Sequence, residues 1–284
     1  MDTKPINPLV KHFRRPTIYF KLPSNGRFWP DDALDLPVTG EIPVYPMTAG
    51  DEVTLKTPDA LMNGNGIVDV IKSCCPNIKD PWQTPSVDVD SILIAIRVAS
   101  YGQLMPINAK CPYCDHEHDY DADLSVASSG IKCPDYDTTI EFNDLKIKLR
   151  PQKYFNVTKS NIINFEEQRI IQSLQDTSIT EEVRNAKLKE SMRKIVDLNN
   201  QLIVSATEYI ETDDGSRVTD EEFIKEFYQN AEAQITRLIE ARLTAIANEA
   251  AIPPFKLKCT ETDCGKTFEV PMEFDYSRFF AIGS

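Results

Sequence analysis

Seven cysteines occur among 284 residues, and four of them stand in two short-spaced pairs: Cys111 and Cys114 in KCPYCDHEHDY, and Cys259 and Cys264 in KCTETDCGKTF. Two thiolates separated by two to four residues can reach one cation from a tight turn, leaving two of four tetrahedral positions open. One pair cannot complete a site; both together can. Four thiolates make a closed structural zinc centre with no coordination position for an activated water, so the spacing predicts a metal that serves folding and not hydrolysis. Iron suits the same ligand set. CPYC is also the dithiol motif of glutaredoxin-like oxidoreductases, where the first cysteine caps a helix whose N-terminus lowers its pKa. Here the residues that follow, DHEHDYDAD, are acidic and alternating, which gives no amphipathic helix and raises a thiol pKa, so redox catalysis and unmetallated cysteines both rank below the shared zinc site. His116, His118 and Cys133 are the competing ligands. Alternation places the two histidines on one strand face, where they flank the site.

Both pairs need a hairpin to hold them. Alternating residues lie on either side of Cys111–Cys114 (INAK, then HEHDYDADL) and of Cys259–Cys264 (FKLK, then KTFEVPM), which predicts two hairpins with cysteine-bearing tips. Gly265 is expected to relieve crowding beside the sulfurs. The first 46 residues carry eight prolines, too many missing amide donors for a long helix or a central strand, and predict an extended arm with a short strand pair at TIYFKL and EIPVY. In that arm, Phe28 and Trp29 are candidates for anchoring another subunit, or for folding back on their own domain. Thr48 and Thr57–Pro58 read as helix N-caps. Ile67, Val70, Ile71 and Cys74 share one helical face, so Cys74 and Cys75 read as packing residues. Val89 to Tyr101 is apolar enough for a buried helix ending at Gly102. EFNDLKIKL predicts a hairpin at Asn143–Asp144, and YIETDDGSRVT another at Asp214–Gly215. Ser178 with Glu181, and Thr219 with Glu222, suggest capping boxes that open a helical block. The expected organisation is an arm over 1–46, an α+β core over 47–150 and 251–284, and an α-helical insertion over 151–250. The fold class is α+β: small β elements, a four-cysteine zinc ribbon formed by two distant knuckles, and the large helical insertion.

Charge narrows the partners. Subtracting 44 acidic from 31 basic side chains gives −13, which repels a phosphate backbone and forfeits the counterion release behind nucleic-acid binding. A zinc-ribbon nucleic-acid adaptor is therefore a third reading. Basic or amphipathic proteins suit an acidic helical block better. No window approaches the roughly 18 uninterrupted apolar residues of a membrane span, and MDTKPINPLVKHFRRP lacks the apolar run of a secretory signal, so a soluble, unexported protein is expected. There is no Gly-rich phosphate loop and no HExxH. The pairs Glu166–Glu167 and Glu221–Glu222 read as solvated helix surface and helix start.

The succession KLPSNGRFWP, EIPVYPMTAGDEVTLKTPDALMNGNGIVDVIKSCCP, SILIAIRVASYG and KCPYC, resumed by KCTETDCGKTFEVPMEFDYSRFF, resembles the baseplate-hub assembly proteins of contractile-tailed bacteriophages. That resemblance covers residues 17 to about 125 and the C-terminal segment. It implies a non-enzymatic role in assembling the hub or baseplate, or as a tail component. Other tail and baseplate subunits would be the partners, with neither nucleic acid nor membrane. It places the chain in the host cytoplasm during assembly, or in the virion tail baseplate. The pairs 111/114 and 259/264 fall at cysteine positions of that family.

Overall fold

The computed structural model describes residues 7–57, 63–174, 180–272 and 279–280. Strands β1 (Ile18–Lys21) and β2 (Glu41–Val44) pair antiparallel, with Ile18 opposite Val44 and Lys21 opposite Glu41. A two-stranded sheet tolerates Pro43 because one side of each strand needs no ladder partner. Ile42 and Val44 point inward and are fully buried. The loop between the strands turns through Asn25 and Gly26, both at positive φ, and brings the aromatic pair back onto its own chain. Trp29 is buried and its Nε1 donates to Asp88 at 2.7 Å, while Phe28 meets Tyr136 edge-on at 5.2 Å. An anchoring role for Trp29 on another subunit is thereby lost, because the indole N–H finds its buried acceptor within the chain; Phe28 stays half-exposed.

Helix α1 (Ala49–Leu55) opens with the capping box expected at Thr48: its hydroxyl accepts from the Asp51 amide and the Asp51 carboxylate accepts from the Thr48 amide. The second cap, at Thr57–Pro58, runs into residues outside those described. Helix α2 (Asn65–Cys74) turns Ile67, Val70, Ile71 and Cys74 into the core. Cys74 and Cys75 are both free and fully buried; desolvation pushes the Cys74 thiol up to about 12, and so keeps it an inert packing group.

Gly64 starts α2 at φ +77, and a Cβ there would lie 2.8 Å from Thr158 Cγ2 and 3.2 Å from the Trp82 ring. Gly64→Ala should therefore lose about 2–3 kcal/mol, combining left-handed strain with a clash. Gly215 is also left-handed, at φ +81, but has open space around the missing Cβ. Gly215→Ala should cost only the backbone part, about 1 kcal/mol. Urea midpoints of the two variants measure the difference.

Helix α3 (Ser86–Tyr101) is buried on nearly every side and stops at Gly102, φ +89. Its length and glycine stop outweigh the β-branched content that would favour a strand. Strands β3 (Leu104–Lys110) and β4 (Glu117–Asp123) form the first cysteine hairpin, in register from Leu104 opposite Asp123 to Lys110 opposite Glu117, and short α4 (Leu124–Gly130) follows. β5 (Ile140–Phe142) and β6 (Leu145–Leu149) turn at Asn143, φ +50, as the Asn143–Asp144 signal requires. Helices α5 (Tyr154–Ser173) and α6 (Glu181–Ala206) pack side by side. Ser178 lies outside the described residues, and α6 starts after Thr180. β7 (Thr207–Glu211) and β8 (Arg217–Val218) enclose Asp214–Gly215, giving one antiparallel sheet ordered β5-β6-β7-β8. Helix α7 (Glu221–Asn230) is capped by Asp220, which accepts from the Glu222 and Phe223 amides; the expected cap one residue earlier, Thr219, is displaced because one carboxylate oxygen of Asp220 reaches both amides. Helix α8 (Ala233–Ala250) leads to the second cysteine hairpin, β9 (Phe255–Lys258) and β10 (Thr267–Val270), with Phe255 opposite Val270.

Mixed helices and small sheets thus make up the chain, around two clusters of buried side chains. One gathers α2, α3, the β1–β2 pair and the bases of both cysteine hairpins; the other gathers the four-stranded sheet with α6, α7 and α8. Among the described residues no helix is long and apolar enough to cross a membrane.

Candidate metal centre

Each cysteine tip is built by the same backbone device. The amide of the first cysteine closes the hairpin: Cys111 donates to the His116 carbonyl and Cys259 to the Lys266 carbonyl, both at 2.9 Å. A helical turn follows, in which Asp115 donates to the Cys111 carbonyl and Gly265 to the Glu261 carbonyl, both at 3.0 Å. In each tip the residue after the second cysteine is left-handed: Asp115 at φ 58 and Gly265 at φ 57. The longer spacing of CTETDC is absorbed between the closing amide and that turn, since Glu261 and not Cys259 accepts the turn's hydrogen bond. Gly265 has nothing within 4 Å of where a Cβ would stand. Its role is the positive φ, not the relief of crowding expected from its position, and Asp115 adopts the same conformation at the modest penalty aspartate carries.

These devices bring the four sulfurs together. Cys111 Sγ lies 3.9 Å from Cys264 Sγ, and Cys114 Sγ lies 3.6 Å from Cys259 Sγ. All four ligand atoms fall within 4.8 Å of one another. The short distances run across the two tips, and both exceed the ~2.05 Å of a disulfide, so all four cysteines are free thiols. The cluster could hold a metal ion. Its protons are shared unequally. Desolvation opposes a Cys111 thiolate, yet the Tyr113 and Cys114 amides and the neighbouring thiols hold it down to about 7. At Cys114 the His116 amide favours the thiolate, but desolvation and the other three thiols outweigh it and push the group up to about 12. Four like charges at this separation cannot coexist without a cation.

Contacts between side chains of the two tips reinforce the arrangement. His116 Nδ1 sits 3.4 Å from the Glu261 carboxylate, and the Lys266 ammonium lies 4.8 Å above the Tyr113 ring. His116 stacks on His118 at 5.8 Å, His118 meets Tyr120 edge-on, and Tyr120 meets Phe268 on β10 at 5.9 Å. The two histidines thus line one strand face beside the sulfurs, and this aromatic file ties β4 to β10. Cys133 lies elsewhere, packed against the second cluster. Among the described residues no helix N-terminus meets CPYC: after the turn the chain enters β4, whereas a glutaredoxin-type thiol needs a helix at that point.

Two polar features escaped sequence reading. Asp88 on α3 is fully buried and receives the Ser24 amide, the Ser24 hydroxyl and the Trp29 indole; the FWP segment offered no sign of an acceptor 59 residues downstream. Glu167, expected on a helix surface with Glu166, is buried instead against α6. There the Ser191 hydroxyl and Lys194, the latter at 3.3 Å, hold its carboxyl below the ordinary range. Glu221 does stand at a helix start, 3.0 Å from Arg150.

No curated protein and no solved structure matches the chain. A family model does, over residues 16–281, and its description is T4 bacteriophage base plate protein. The match begins just before β1 and ends past Phe280, so it takes in both cysteine tips and everything between them, and the chain belongs to the T4 bacteriophage base plate protein family.

Proposed function

We propose that this chain is a non-enzymatic component of the phage tail baseplate hub, acting in baseplate assembly or as a structural subunit, with Cys111, Cys114, Cys259 and Cys264 holding a structural zinc ion. Family membership suggests a structural role in the tail or baseplate. The observation that carries the metal is the sulfur geometry. A tetrahedral zinc with Zn–S bonds of about 2.3 Å has S···S edges of about 3.8 Å, and the cross-tip distances are 3.9 and 3.6 Å. An ion on four thiolates has no open position, so it activates no water. What it supplies is closure: it fastens Cys111 to Cys264, 153 residues apart, and so holds two hairpins that contribute Ala109, Ala122, Leu257 and Phe268 to one buried cluster.

The partners in this reading are other tail and baseplate subunits, met in the host cytoplasm during assembly and in the tail itself. An overall charge of −13 favours proteins over nucleic acid as partners. The test is quantitative mass spectrometry of purified virions beside affinity capture of the tagged chain from infected cells. Fixed low copy in particles marks a structural subunit, and co-capture of baseplate subunits from lysate alone marks an assembly factor. Absence from particles together with capture free of any tail protein overturns the reading.

A further inference from the structure

The acidity of the chain is unevenly placed. Residues 7–30 hold Lys11, Arg14, Arg15, Lys21 and Arg27 and no carboxylate. Removing these five from 31 basic side chains leaves 26 against 44 acidic ones, a balance of −18 over the rest of the chain. Arg14 and Arg27 are spent within the molecule, on Asp51 and Asp137. Lys11, Arg15 and Lys21 have no ion pair among the described residues. The same stretch leaves apolar side chains in solvent. Pro8–His12 forms a single 3₁₀ turn with no buried residue, and Leu9, Val10 and Phe13 are 60%, 53% and 58% exposed. Scattered apolar residues are ordinary on a protein surface. Three within five consecutive residues, with Lys11 between them and Arg15 just beyond, make one basic and apolar unit.

That unit is held in shape before it meets anything. Asn7 Oδ1 accepts the Leu9 amide at 2.9 Å, Pro8 fixes the first φ of the turn, and the Arg15 guanidinium donates to the Lys11 carbonyl at 3.3 Å. Behind it the chain is clamped by Arg14, which donates to the Pro46 carbonyl at 2.7 Å and to the Ser73 carbonyl and hydroxyl at 2.8 Å. A segment with its turn formed and its base fixed loses little conformational freedom on docking. Charge says what covers it. An acidic protein surface offers carboxylates to Lys11 and Arg15, and the acidic protein present in every solution of this chain is another copy, at −18 outside the segment. Opposite potentials on the two parts steer one copy onto the next. A phosphate-rich surface, lipid or nucleic acid, attracts the segment but repels all that follows it.

We infer that residues 7–15 dock on the acidic surface of a second copy of this chain, with Leu9, Val10 and Phe13 as the apolar contact and Lys11 and Arg15 as the charges that steer it. This contact belongs to the isolated chain, is measured there, and stands or falls apart from the baseplate role.

Sedimentation of the purified full chain over a concentration series tests it. Self-association should appear at low salt and weaken as salt rises. Leu9→Asp combined with Phe13→Asp should weaken it about tenfold. Lys11→Glu combined with Arg15→Glu should weaken it by a similar factor and flatten the salt dependence. All four positions are exposed, so both variants should keep the native unfolding midpoint, which separates a lost contact from a lost fold. Carbodiimide coupling, which joins an amine directly to a carboxylate, then locates the contact: in a mixture of unlabelled and heavy-isotope chains, Lys11 should be joined to an Asp or Glu of the other isotope. A chain that stays monomeric at low salt overturns the inference, as does self-association that Leu9→Asp with Phe13→Asp leaves unchanged. Lys11 coupled solely to carboxylates of its own chain overturns it as well. So does a monomeric chain that binds phosphatidylserine vesicles or a single-stranded oligonucleotide through Lys11 and Arg15, which assigns the segment to lipid or nucleic acid instead.

Discussion

Cys264→Ser should strip the chain of its metal. Elemental analysis of the native protein should return about one zinc per chain, and of the variant close to none, because three sulfurs and a hydroxyl bind far more weakly than four thiolates. Structural zinc contributes on the order of 10 kcal/mol or more to small thiolate sites, so even a fraction of that lost is large against a total stability of about 5–15 kcal/mol. The loss should concentrate where the ion acts. Hydrogen exchange should rise across β3–β4 and β9–β10 and in the side of the first cluster they close, while β5–β8 keeps its protection. A strong chelator should reproduce the same pattern in the native chain. Cys133→Ser is the control, since Cys133 stands apart from the sulfur cluster and packs on the second group of buried side chains; it should leave zinc content unchanged. Native protein that purifies without metal, together with a Cys264→Ser variant of equal stability, would refute the centre.

The second large effect belongs to Asp88. Its carboxylate accepts the Ser24 amide at 2.9 Å, the Ser24 hydroxyl at 2.5 Å and the Trp29 indole at 2.7 Å, all in a buried setting. Asp88→Ala leaves these donors without an acceptor, each costing about 1–3 kcal/mol when it stays buried. A loss of about 4 kcal/mol is expected from denaturant unfolding, with tryptophan emission shifted to the red as Trp29 meets water. Asp88→Asn should fall between, since one amide oxygen still accepts but the NH₂ opposes the donors that remain. A cost under about 1 kcal/mol for alanine would mean that the loop is held by its apolar contacts alone. The charge also carries a pH signature. Burial is the largest influence on Asp88 and raises its pKa despite the three hydrogen bonds. The folded state therefore keeps this proton longer than the unfolded chain does, and the contribution of Asp88 to stability declines as pH rises from the ordinary aspartate range through the raised value. Asp88→Asn should remove that slope.

Local chemistry accounts for the elements that were legible in advance. Thr48 and Asp51 cap a helix because both partners lie within one turn; the Asn143 turn and the Asp214–Gly215 turn fix two hairpins by backbone preference. Helix α3 declared itself by a run of apolar residues long enough to outlast a strand. The cap at Asp220 in place of Thr219 was not legible from the Thr219–Glu222 spacing, because a one-residue shift leaves either side chain within reach of the first amides.

Residue types and spacing by themselves determined the two cysteine hairpins, the mixed α+β class and an acidic chain with a resemblance to baseplate proteins, since each of these is written in neighbouring residues or in composition. Only the tertiary structure decided that the sulfurs at 111, 114, 259 and 264 fall within 4.8 Å of one another, and that Trp29 turns inward to Asp88. Those outcomes depend on which distant surfaces pack together. Burial creates the demand for a hydrogen bond or a counter-charge, and nothing in the local chain records which distant group will answer it.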